Sequence, residues 1–587
     1  MEKTVAEHIV DYLEKREVKH IFGLCGHTNI AVLAALADSP IDFVSVRHEQ
    51  IASHAADAYA RVTGRASVVL SHLSPGLTNC ATGVANAALD CIPMVVIAGD
   101  IPTHYYGKHP HQEVNLHSDA SQYEIYRPFV KRAWRVDRAD LMAEVLDKAF
   151  HLAESGQPGP VLVNVPMDVF SAKISSDSFN RVATNARQIA KPSIDAETAR
   201  AIVVKLAVAK KPVLYVGGGI LIARASEELA AFVEHMQIPV AHSLMGKGAL
   251  RDDNPMVLGM TGFWGTELVN NACLEADMVL AVGTRFKEAD CSSWYPGYTF
   301  NIPGSQLIHI DIEASEIGRN YPVEIGAVAD AKKALAALLN VARELYPEGF
   351  KREDTVKKIA GFRRSFRESN KEMSTSDAFP MMPERILADV RRALPEDAII
   401  TTDVGWNKNG VGQQFDILSP GSILTPGGFA TMGFGPPGAI GAKMAAPDRA
   451  VISLVGDGGF GQNPSMLATA VEQKLGIVWL VMNNNAFGTI AGLQKAHYGL
   501  TYGTTFPGKA GAPEYGPDYA ALARCYGAEG IKINAADELL PALKRALESN
   551  LPTVIDVAMV NNPTPTTGHW NILDIYSPDK DVSHVST

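Results

Sequence analysis

The chain has 587 residues, of which 47% are hydrophobic and 20% are charged, and its formal net charge is −11. This length predicts about three or four domains, and the acidic balance argues against a nucleic acid as a partner. No apolar run reaches the roughly 18 residues of a membrane span, and the N-terminus does not read as a signal peptide. The six cysteines include no CxxC pair, so we expect reduced thiols and a cytoplasmic location.

Residues 1–175 alternate short β-branched runs with segments of helical periodicity. The first helix begins near Thr4 and Glu7, which have the spacing of a capping box. The strands predicted in this region cover residues 20–24, 43–46, 67–71 and 94–98. Strands that alternate with helices predict a parallel sheet covered on both faces.

Two further regions repeat this pattern. Residues 193–345 contain predicted strands that end near glycines 217–219, Arg285 and Asp311, and residues 376–562 form a third region. Residues 346–375 are charged and read as a solvated helical connector. The predicted fold class is therefore α/β, with three doubly wound parallel-sheet domains. The tail, residues 563–587, is rich in proline and threonine and then aromatic; it fits a lid over the active site, a surface strap or an interface arm.

The third region contains a strand–helix–strand unit in which residues 451–455 and 477–482 are the strands and residues 463–474 are the helix. Asp457 and Asn484 then follow the carboxyl ends of two parallel strands, which is the edge where open α/β sheets bind ligands. A carboxylate and an amide, with glycines that open the turn, suit a hard cation that holds a diphosphate.

The run Gly456-Asp457-Gly458, with Asn483-Asn484 further along, resembles the thiamine diphosphate (ThDP) motif of the pyruvate decarboxylase and acetolactate synthase superfamily. The resemblance implies that Asp457, Asn484 and the backbone carbonyl of Ala486 hold Mg²⁺. It also implies a set of residues around them that contact the cofactor: Gly456, Gly458, Gly459, Phe487 and Gly488.

Glu49 stands at a strand-to-helix junction in the phrase RHEQIASHAADAYARVTG. On local grounds a glutamate at this place is a capping or helix-dipole residue. The phrase, however, resembles the pyrimidine-binding domain of the acetolactate synthase group. The resemblance implies that the Glu49 carboxylate bonds N1′ of the aminopyrimidine and so supports proton transfer within the cofactor.

Further candidate catalytic residues lie in the same region. His27 occupies a strand-to-helix turn, where it faces the substrate or acts as a helix cap, and His72 follows another strand. The segment HQEV resembles the FQEV segment of acetolactate synthases, which carries Gln112 over as an active-site residue; His111 replaces the phenylalanine and offers a proton donor. His104, His109, His111 and His117 match no zinc pattern.

The third region contributes candidates outside the metal motif. Gly405 follows a predicted strand, and the segment TPGGFATMGFGPPG resembles the GG-x-x-x-MG-x-G-x-P segment of the family, which implies that Met432 lies under the thiazolium ring. Gln494 and Lys495 either contact the substrate or face solvent. Leu493 stands where acetolactate synthases have a tryptophan that selects the second 2-oxo acid, which weakens the assignment of that specific reaction.

The sequence does not identify a cofactor for the middle region. In the family this domain binds FAD, ADP or nothing, and the triple glycine at 217–219 does not decide among them. Acetolactate synthases have an acidic pair and an arginine after an Arg-Phe dipeptide. This chain has residues 287–290, Lys-Glu-Ala-Asp, in that place.

Together these features predict a ThDP- and Mg²⁺-dependent enzyme, an acetolactate-synthase-like carboligase or decarboxylase that acts on a small 2-oxo acid. One alternative is an acyl-CoA lyase that resembles 2-hydroxyacyl-CoA lyase or oxalyl-CoA decarboxylase. Another is a non-catalytic scaffold or regulatory paralogue. In the family the pyrimidine domain of one subunit faces the diphosphate domain of another, so the resemblance implies a homodimer or homotetramer.

Overall fold

The computed structural model describes residues 2–118, 121–182, 189–506 and 515–561. Within them the chain forms three six-stranded sheets in which every strand pair is parallel. The predicted fold class, α/β with three doubly wound sheets, is confirmed. The tail, residues 563–587, for which a lid, a surface strap and an interface arm are the alternatives, lies outside the described residues. The predicted domain boundaries stay predictions.

The first sheet has the strand order β3-β2-β4-β5-β7-β6, and β1 and β8 form a separate antiparallel pair. The elements of this region are β1 (Lys3–Thr4), α1 (Val5–Lys15), β2 (His20–Gly23), α2 (Ile30–Leu36), β3 (Asp42–Ser45), α3 (Glu49–Thr63), β4 (Ser67–Ser71), α4 (Ser74–Leu89), β5 (Met94–Asp100), β6 (Arg132–Arg135), α5 (Met142–Glu154), β7 (Pro160–Pro166), α6 (Met167–Ser171), β8 (Lys173–Ile174) and α7 (Asp177–Asn180). The predicted capping box is present, because Thr4 and Glu7 exchange hydrogen bonds at the start of α1.

The middle sheet has the order β11-β10-β9-β12-β13-β14. Its elements are α8 (Ala196–Val208), β9 (Pro212–Val216), α9 (Gly219–Ile222), α10 (Ser226–Met236), β10 (Val240–His242), β11 (Val257–Met260), α11 (Glu267–Leu274), β12 (Met278–Val282), β13 (Gln306–Asp311), β14 (Ile325–Val328) and α12 (Ala331–Leu345). The connector forms α13 (Glu353–Ser369) and α14 (Lys371–Ser374). It is largely exposed, as predicted, although Ile359 is buried and the Arg363 guanidinium donates to the backbone oxygens of Asn254 and Val257.

The third sheet has the order β16-β15-β17-β18-β20-β19. Its elements are α15 (Pro383–Ala393), β15 (Ile399–Thr402), α16 (Trp406–Gln414), β16 (Ile423–Leu424), α17 (Gly435–Ala445), β17 (Val451–Gly456), α18 (Asp457–Phe460), α19 (Met466–Glu472), β18 (Ile477–Asn483), α20 (Gly488–Tyr498), α21 (Tyr519–Cys525), β19 (Glu529–Ile533), α22 (Leu539–Ser549) and β20 (Thr553–Ala558). The helix predicted over 463–474 is shorter than expected. Pro464 precedes it, and Lys474 has the left-handed φ of 52° that ends a helix.

Short 3₁₀ turns complete the described elements: Thr103–Tyr105, Ser121–Ile125, Ala139–Leu141, Leu244–Gly246, Glu288–Trp294, Ala314–Glu316 and Ala536–Glu538.

Alternate residues of each strand enter the cores on the two faces of the sheet. Phe22 and Val69 belong to one core, whereas Ile21 and Val68 belong to the other. The first of these cores also contains Trp479 and continues into the third sheet. The first and third regions therefore share one apolar core, which holds their sheets together.

Helices α3 and α17 form the contact within that shared core. A Cβ atom at Gly441 would overlap the backbone oxygen of Ala55, so the two helices approach too closely for any side chain there. Alanines 52, 55, 56 and 58 of α3 are also fully buried. Small residues on both helices thus set the distance between the region that contains Glu49 and the region that contains Asp457.

Candidate active site

Asp457 and Asn484 are the first residues after two neighbouring strands, β17 and β18. Gly456 of β17 pairs with Met482 of β18, so both side chains leave the same edge of the sheet. Asp457 is 2% exposed. Its Oδ1 accepts the backbone N–H of Gly458 at 3.0 Å, and its backbone oxygen accepts the Tyr519 hydroxyl at 3.2 Å. Two contacts therefore fix the backbone and one carboxylate oxygen.

The other carboxylate oxygen of Asp457 is buried and has no hydrogen-bond partner among the described residues. Burial raises the pKa of Asp457 to about 6, although nearby backbone N–H groups, first that of Gly458 and then those of Ala486 and Asn485, act in the opposite direction. A buried, unpaired carboxylate oxygen is costly unless a cation or a donor meets it. The site is therefore a place where a bound cation would relieve an unfavourable desolvation.

Asn484 and Ala486 supply oxygens of the kind that a hard cation prefers. The Nδ2 of Asn484 donates to Asn561 Oδ1 at 3.4 Å, which leaves the amide oxygen for another partner. Ala486 pairs with Thr505 in an antiparallel bridge whose flanking hydrogen bonds use Phe487 and Phe506, not Ala486. Carboxylate, amide and backbone oxygens fit a magnesium ion at this edge.

The glycines of this edge are required by close approach. A Cβ at Gly458 would lie 2.6 Å from the Phe487 ring, and one at Gly488 would lie 2.6 Å from Asn484 Nδ2. A Cβ at Gly459 would lie 2.9 Å from the carboxyl carbon of Asp403. Gly405, which follows β15, has a φ of 122°, a conformation that favours glycine. At these glycines no side chain covers the backbone, which is what a diphosphate-binding turn requires.

Met432 lies beside the same turn. A Cβ at Gly458 would be 3.3 Å from the Met432 methyl carbon, so the two residues flank one space. The segment that carries Met432 is held by Asp403, whose carboxylate is fully buried and accepts the backbone N–H groups of Gly433 and Gly435 at 2.9 and 3.1 Å. Burial raises the pKa of Asp403 to about 6, and these donors act against the rise.

Glu49 is the first residue of α3 and is 6% exposed. The capping contact of this helix comes from its neighbour, since His48 Nδ1 accepts the Gln50 N–H at 3.2 Å. One carboxylate oxygen of Glu49 accepts the Asn79 amide at 3.0 Å. The other lies near Gly76, where a Cβ would be 3.2 Å away. Glu49 is therefore a buried carboxylate held at one oxygen, with the capping task done elsewhere.

Four candidate residues of the first region form one cluster. The His27 and His72 rings are 4.8 Å apart, and the His27 and His111 rings are 6.2 Å apart. His72 Nε2 lies 3.0 Å from Gln112 Oε1, and His72 Nδ1 lies 2.8 Å from the Thr28 hydroxyl. Burial, together with the charges of His72 and His111, lowers the pKa of His27. The structure thus brings together residues from three segments that are far apart in the sequence.

The Gln494 side chain forms its hydrogen bonds within the third region, with residues 502 and 504. Its amide oxygen accepts the Tyr502 N–H at 2.7 Å and the Thr504 hydroxyl at 2.8 Å, and its amide nitrogen, Nε2, donates to the Tyr502 backbone oxygen at 3.2 Å. Lys495 is exposed. The Gln494 side chain therefore holds residues 502–504 beside the Ala486 bridge.

Three family descriptions match the chain in order. All three describe thiamine pyrophosphate enzymes; thiamine pyrophosphate (TPP) is another name for ThDP. The N-terminal TPP binding domain matches residues 3–121, the central domain matches residues 199–338 and the C-terminal TPP binding domain matches residues 403–557. The chain belongs to the ThDP enzyme family. It is a ThDP-dependent enzyme of the acetolactate-synthase-like group.

Relatives of this ThDP enzyme cover almost its whole length. A probable acetolactate synthase large subunit of Methanocaldococcus jannaschii is 34% identical over 94% of this chain and 91% of the relative. The acetolactate synthase large subunit of Corynebacterium glutamicum is 34% identical over 94% and 86%. The acetolactate synthase isozyme 3 large subunit of Escherichia coli is 32% identical over 94% and 94%.

The candidate residues of the ThDP enzyme lie in its two TPP-binding matches. Glu49 and the histidine cluster fall within residues 3–121, and Met432, Asp457 and Asn484 fall within residues 403–557. The central match contains the loops that follow β9, β12 and β13. These loops line a cavity of about 1090 Å³ that includes Gly217, Thr284 and Asp311.

Several residues that hold this site were not among those predicted from the sequence. Thr28 binds His72, and Asn79 binds Glu49. Asp403 binds the backbone N–H groups of Gly433 and Gly435, next to Met432. Asp403 carries a usable signal, because it follows a buried strand and stands two residues before Gly405. Thr28 and Asn79 carry none, since their partners are distant along the chain.

Within the described ranges, no group of three or more His, Cys, Asp and Glu side chains is arranged to hold a metal. None of the helices in those ranges is long and apolar enough to cross a membrane.

Proposed function

We propose that this enzyme is a Mg²⁺-dependent carboligase that acts on a small 2-oxo acid, in the manner that the name acetolactate synthase describes. The observation that carries the proposal is the sequence similarity to acetolactate synthase large subunits, which are 32–34% identical to this chain over 94% of its length. Neither the acyl-CoA lyase nor the non-catalytic scaffold is favoured by these relatives. We also propose that the protein is cytoplasmic.

Mg²⁺ would be held by Asp457, the amide oxygen of Asn484 and the backbone carbonyl of Ala486. The unpaired, buried oxygen of Asp457 supports this assignment, because a divalent cation replaces the missing partner. The bare backbone of residues 456–459, with Gly405, Phe487 and Gly488, would receive the diphosphate. Tyr519 keeps the Asp457 backbone in place while the carboxylate binds.

Bound ThDP supplies the electron sink for making or breaking a bond next to a carbonyl group. Glu49 supplies a carboxylate that holds a proton at the aminopyrimidine nitrogen N1′. Asn79 binds one Glu49 oxygen, so the other is the one left for the cofactor. Burial of Glu49 at 6% exposure keeps water from competing for that oxygen.

Met432 would support the cofactor from the side of Gly458, which it flanks in the structure. Its position depends on Asp403, because the N–H groups on both sides of Phe434 donate to that carboxylate. The thioether is apolar and adaptable, so it can fill the space under a ring without offering a competing proton.

The histidine cluster would bind the substrate. The lowered pKa of His27 makes its imidazole neutral near neutral pH, so it can accept or share a proton with a substrate oxygen. His111 adds a second ring at 6.2 Å from His27. Gln112 presents its amide N–H groups, since His72 occupies its oxygen. Gln494 would shape the entrance through its hold on residues 502–504.

We propose a homodimer or homotetramer with shared active sites. Asn79, which binds Glu49, is exposed in the single chain. Tyr498 and Tyr502 near the Asp457 edge are 64% and 66% exposed. Such surfaces beside a cofactor site are consistent with a partner subunit that covers them.

A nucleotide, FAD or ADP, is proposed for the central cavity. Asp311 is the last residue of β13 there and is 6% exposed, and burial raises its pKa to about 6. The Asp311 carboxylate can accept a hydrogen bond from a ribose hydroxyl of such a nucleotide. A visible flavin spectrum of the purified protein would identify FAD, and nucleotide release without colour would identify ADP.

The test is reconstitution with ThDP and Mg²⁺ followed by incubation with pyruvate. We expect acetolactate and CO₂ as products, and loss of both when a chelator replaces the metal. Acetaldehyde without acetolactate would indicate a decarboxylase instead of a carboligase. Turnover of 2-hydroxyacyl-CoA with no reaction of any 2-oxo acid would overturn the proposal.

A further inference from the structure

A buried ion cluster lies outside the site described so far, at the ends of α3 and α4. Arg61 is 8% exposed in its side chain and binds Asp57 and Asp90, at 2.6 and 2.9 Å, whose side chains are both fully buried. Asn86 donates to Asp57 at 2.8 Å. These residues belong to the first region of the chain. Asp90 also lies 3.6 Å from the Lys287 ammonium of the middle region, and further hydrogen bonds of Arg61 and Asp90 reach the third region.

The cluster binds the segment that carries Met432, residues 425–434, which we call the Met432 segment. Asp90 accepts the N–H of Gly427 at 2.9 Å and the N–H of Gly428 at 2.6 Å. Arg61 donates to the Thr425 backbone oxygen at 3.1 Å. The cluster therefore makes three hydrogen bonds to the start of this segment.

Arg61 also reaches the far end of the segment. Its guanidinium lies over the Phe434 ring, 5.2 Å from the centroid, a cation–π arrangement. Next to Phe434, Asp403 accepts the N–H of Gly433. Both ends are thus tied to buried charges. Between them Phe429 is 43% exposed and Met432 is half-buried.

Asp90 keeps its charge in this place. Burial acts to raise its pKa and is the largest single effect, but Arg61, Lys287 and the Gly427 N–H together hold the pKa at about 2. The glycines fit the contact closely. A Cβ at Gly427 would overlap the Met245 sulfur, and one at Gly428 would overlap the Lys287 ammonium. A side chain at either position would therefore push the N–H groups away from Asp90.

We propose that Arg61 and Asp90 are positioning residues for the cofactor, because they set the place of the Met432 segment through charge-assisted bonds. The inference rests on the proposed role of Met432 under ThDP. Charge-assisted bonds are stronger than neutral ones, and a buried pair is costly to break from one side. Losing the Asp90 carboxylate leaves two N–H groups without their acceptor and removes one of the two carboxylates that hold the Arg61 guanidinium, so the segment loses its fixed start.

The test compares the full-length variants Asp90→Asn, Asp90→Ala and Arg61→Lys with Arg16→Lys. Arg16 is the matched control. Its side chain is 6% exposed, it binds Glu154 at 3.0 Å and it lies over the Phe150 ring at 4.5 Å. Those contacts stay within the first region and do not touch the Met432 segment.

Hydrogen exchange is measured first, on the cofactor-free proteins, for the peptide that covers residues 425–435. In both Asp90 variants we expect exchange at least about tenfold faster there, because the two N–H groups lose their acceptor. Asp90→Asn keeps one acceptor oxygen, so its increase should be smaller than that of Asp90→Ala. Arg16→Lys should leave this peptide unchanged.

ThDP affinity is measured next by calorimetry in the presence of Mg²⁺. We expect the Kd to rise about tenfold or more in Asp90→Asn and Arg61→Lys, and not in Arg16→Lys. Unchanged exchange in the peptide, or an unchanged Kd with faster exchange, would overturn the proposal. If Asp90→Ala fails to fold, Asp90→Asn and Arg61→Lys decide alone.

These readouts do not depend on the substrate. If the wild-type enzyme binds ThDP but leaves pyruvate unchanged, the proposed carboligase function fails while the exchange and affinity data still judge Arg61 and Asp90.

Discussion

His72 Nε2 lies 3.0 Å from Gln112 Oε1, and the other ring nitrogen of His72 lies 2.8 Å from the Thr28 hydroxyl. An amide oxygen can only accept, so Nε2 carries the proton. In the neutral ring Nδ1 then accepts from Thr28. His72 is thus a link that orients Gln112, and the residues left to meet a substrate are His27, His111 and the Gln112 amide N–H groups.

Replacing His72 with phenylalanine should raise KM more than it lowers kcat. The Gln112 amide loses the donor that fixes its oxygen, so it samples orientations that do not bind the substrate. We expect kcat/KM for pyruvate to fall about tenfold, as for one lost hydrogen bond. Steady-state kinetics measure it, and His104→Phe, an exposed histidine in the same region, is the control. A pure kcat effect would contradict the orienting role.

Replacing Glu49 with glutamine should remove most of the turnover. The amide cannot take up the N1′ proton, so we expect kcat to fall at least about a hundredfold, with ThDP affinity nearly retained. Glu384→Gln is the matched control, since Glu384 also lies in the first turn of a helix and is 4% exposed. Equal losses in the two variants would point to a general effect of removing a buried carboxylate.

The acid limb of the pH profile should depend on His27. Burial, followed by the charges of His72 and His111, lowers its pKa, so the ring protonates only below the usual value of about 6.5. We expect wild-type kcat/KM to stay constant down to that pH and to fall below it. In His27→Asn the limb should disappear. An unchanged limb in that variant would assign it to another group.

Stability below pH 6.5 should depend on His54, which is fully buried beside Phe434. Burial lowers its pKa to about 3, with a further contribution from Arg61. The unfolded chain therefore takes up a proton that the folded protein refuses, and stability is lost as pH falls. Between pH 6.5 and 5.0 this amounts to about 2 kcal/mol of the free energy of unfolding.

Urea unfolding of wild type and His54→Gln at both pH values measures this contribution. The variant should start less stable but lose about 2 kcal/mol less on acidification. Parallel losses in the two proteins would show that His54 does not contribute.

Metal dependence should be concentrated at Asp457. ThDP with Mg²⁺ should raise the Tm of wild type, because both bind only the folded state. In Asp457→Asn the part of the rise that needs Mg²⁺ should vanish, since one ligand charge is lost. Asp448→Asn, which changes an exposed aspartate, should behave as wild type. A full metal response in Asp457→Asn would remove Asp457 from the metal site.

The sequence by itself determined the parts of this protein that are local. The capping box of α1 and the alternation of strands and helices depend on neighbouring residues. The shared edge for Asp457 and Asn484 depends only on the rule that parallel strands point the same way. The resemblance to ThDP enzymes rested on such local runs, and the family matches bear it out.

Tertiary structure alone decided which distant side chains meet. His72 and Gln112, or Asp90 and Gly428, approach because loops from different strands converge at one place. Gln494 has the same chemistry whether it meets a substrate or its own loop, and only the path of residues 502–504 chooses between them. Periodicity and spacing describe one element at a time, whereas these contacts follow from how elements pack, so no pattern in the sequence contained them.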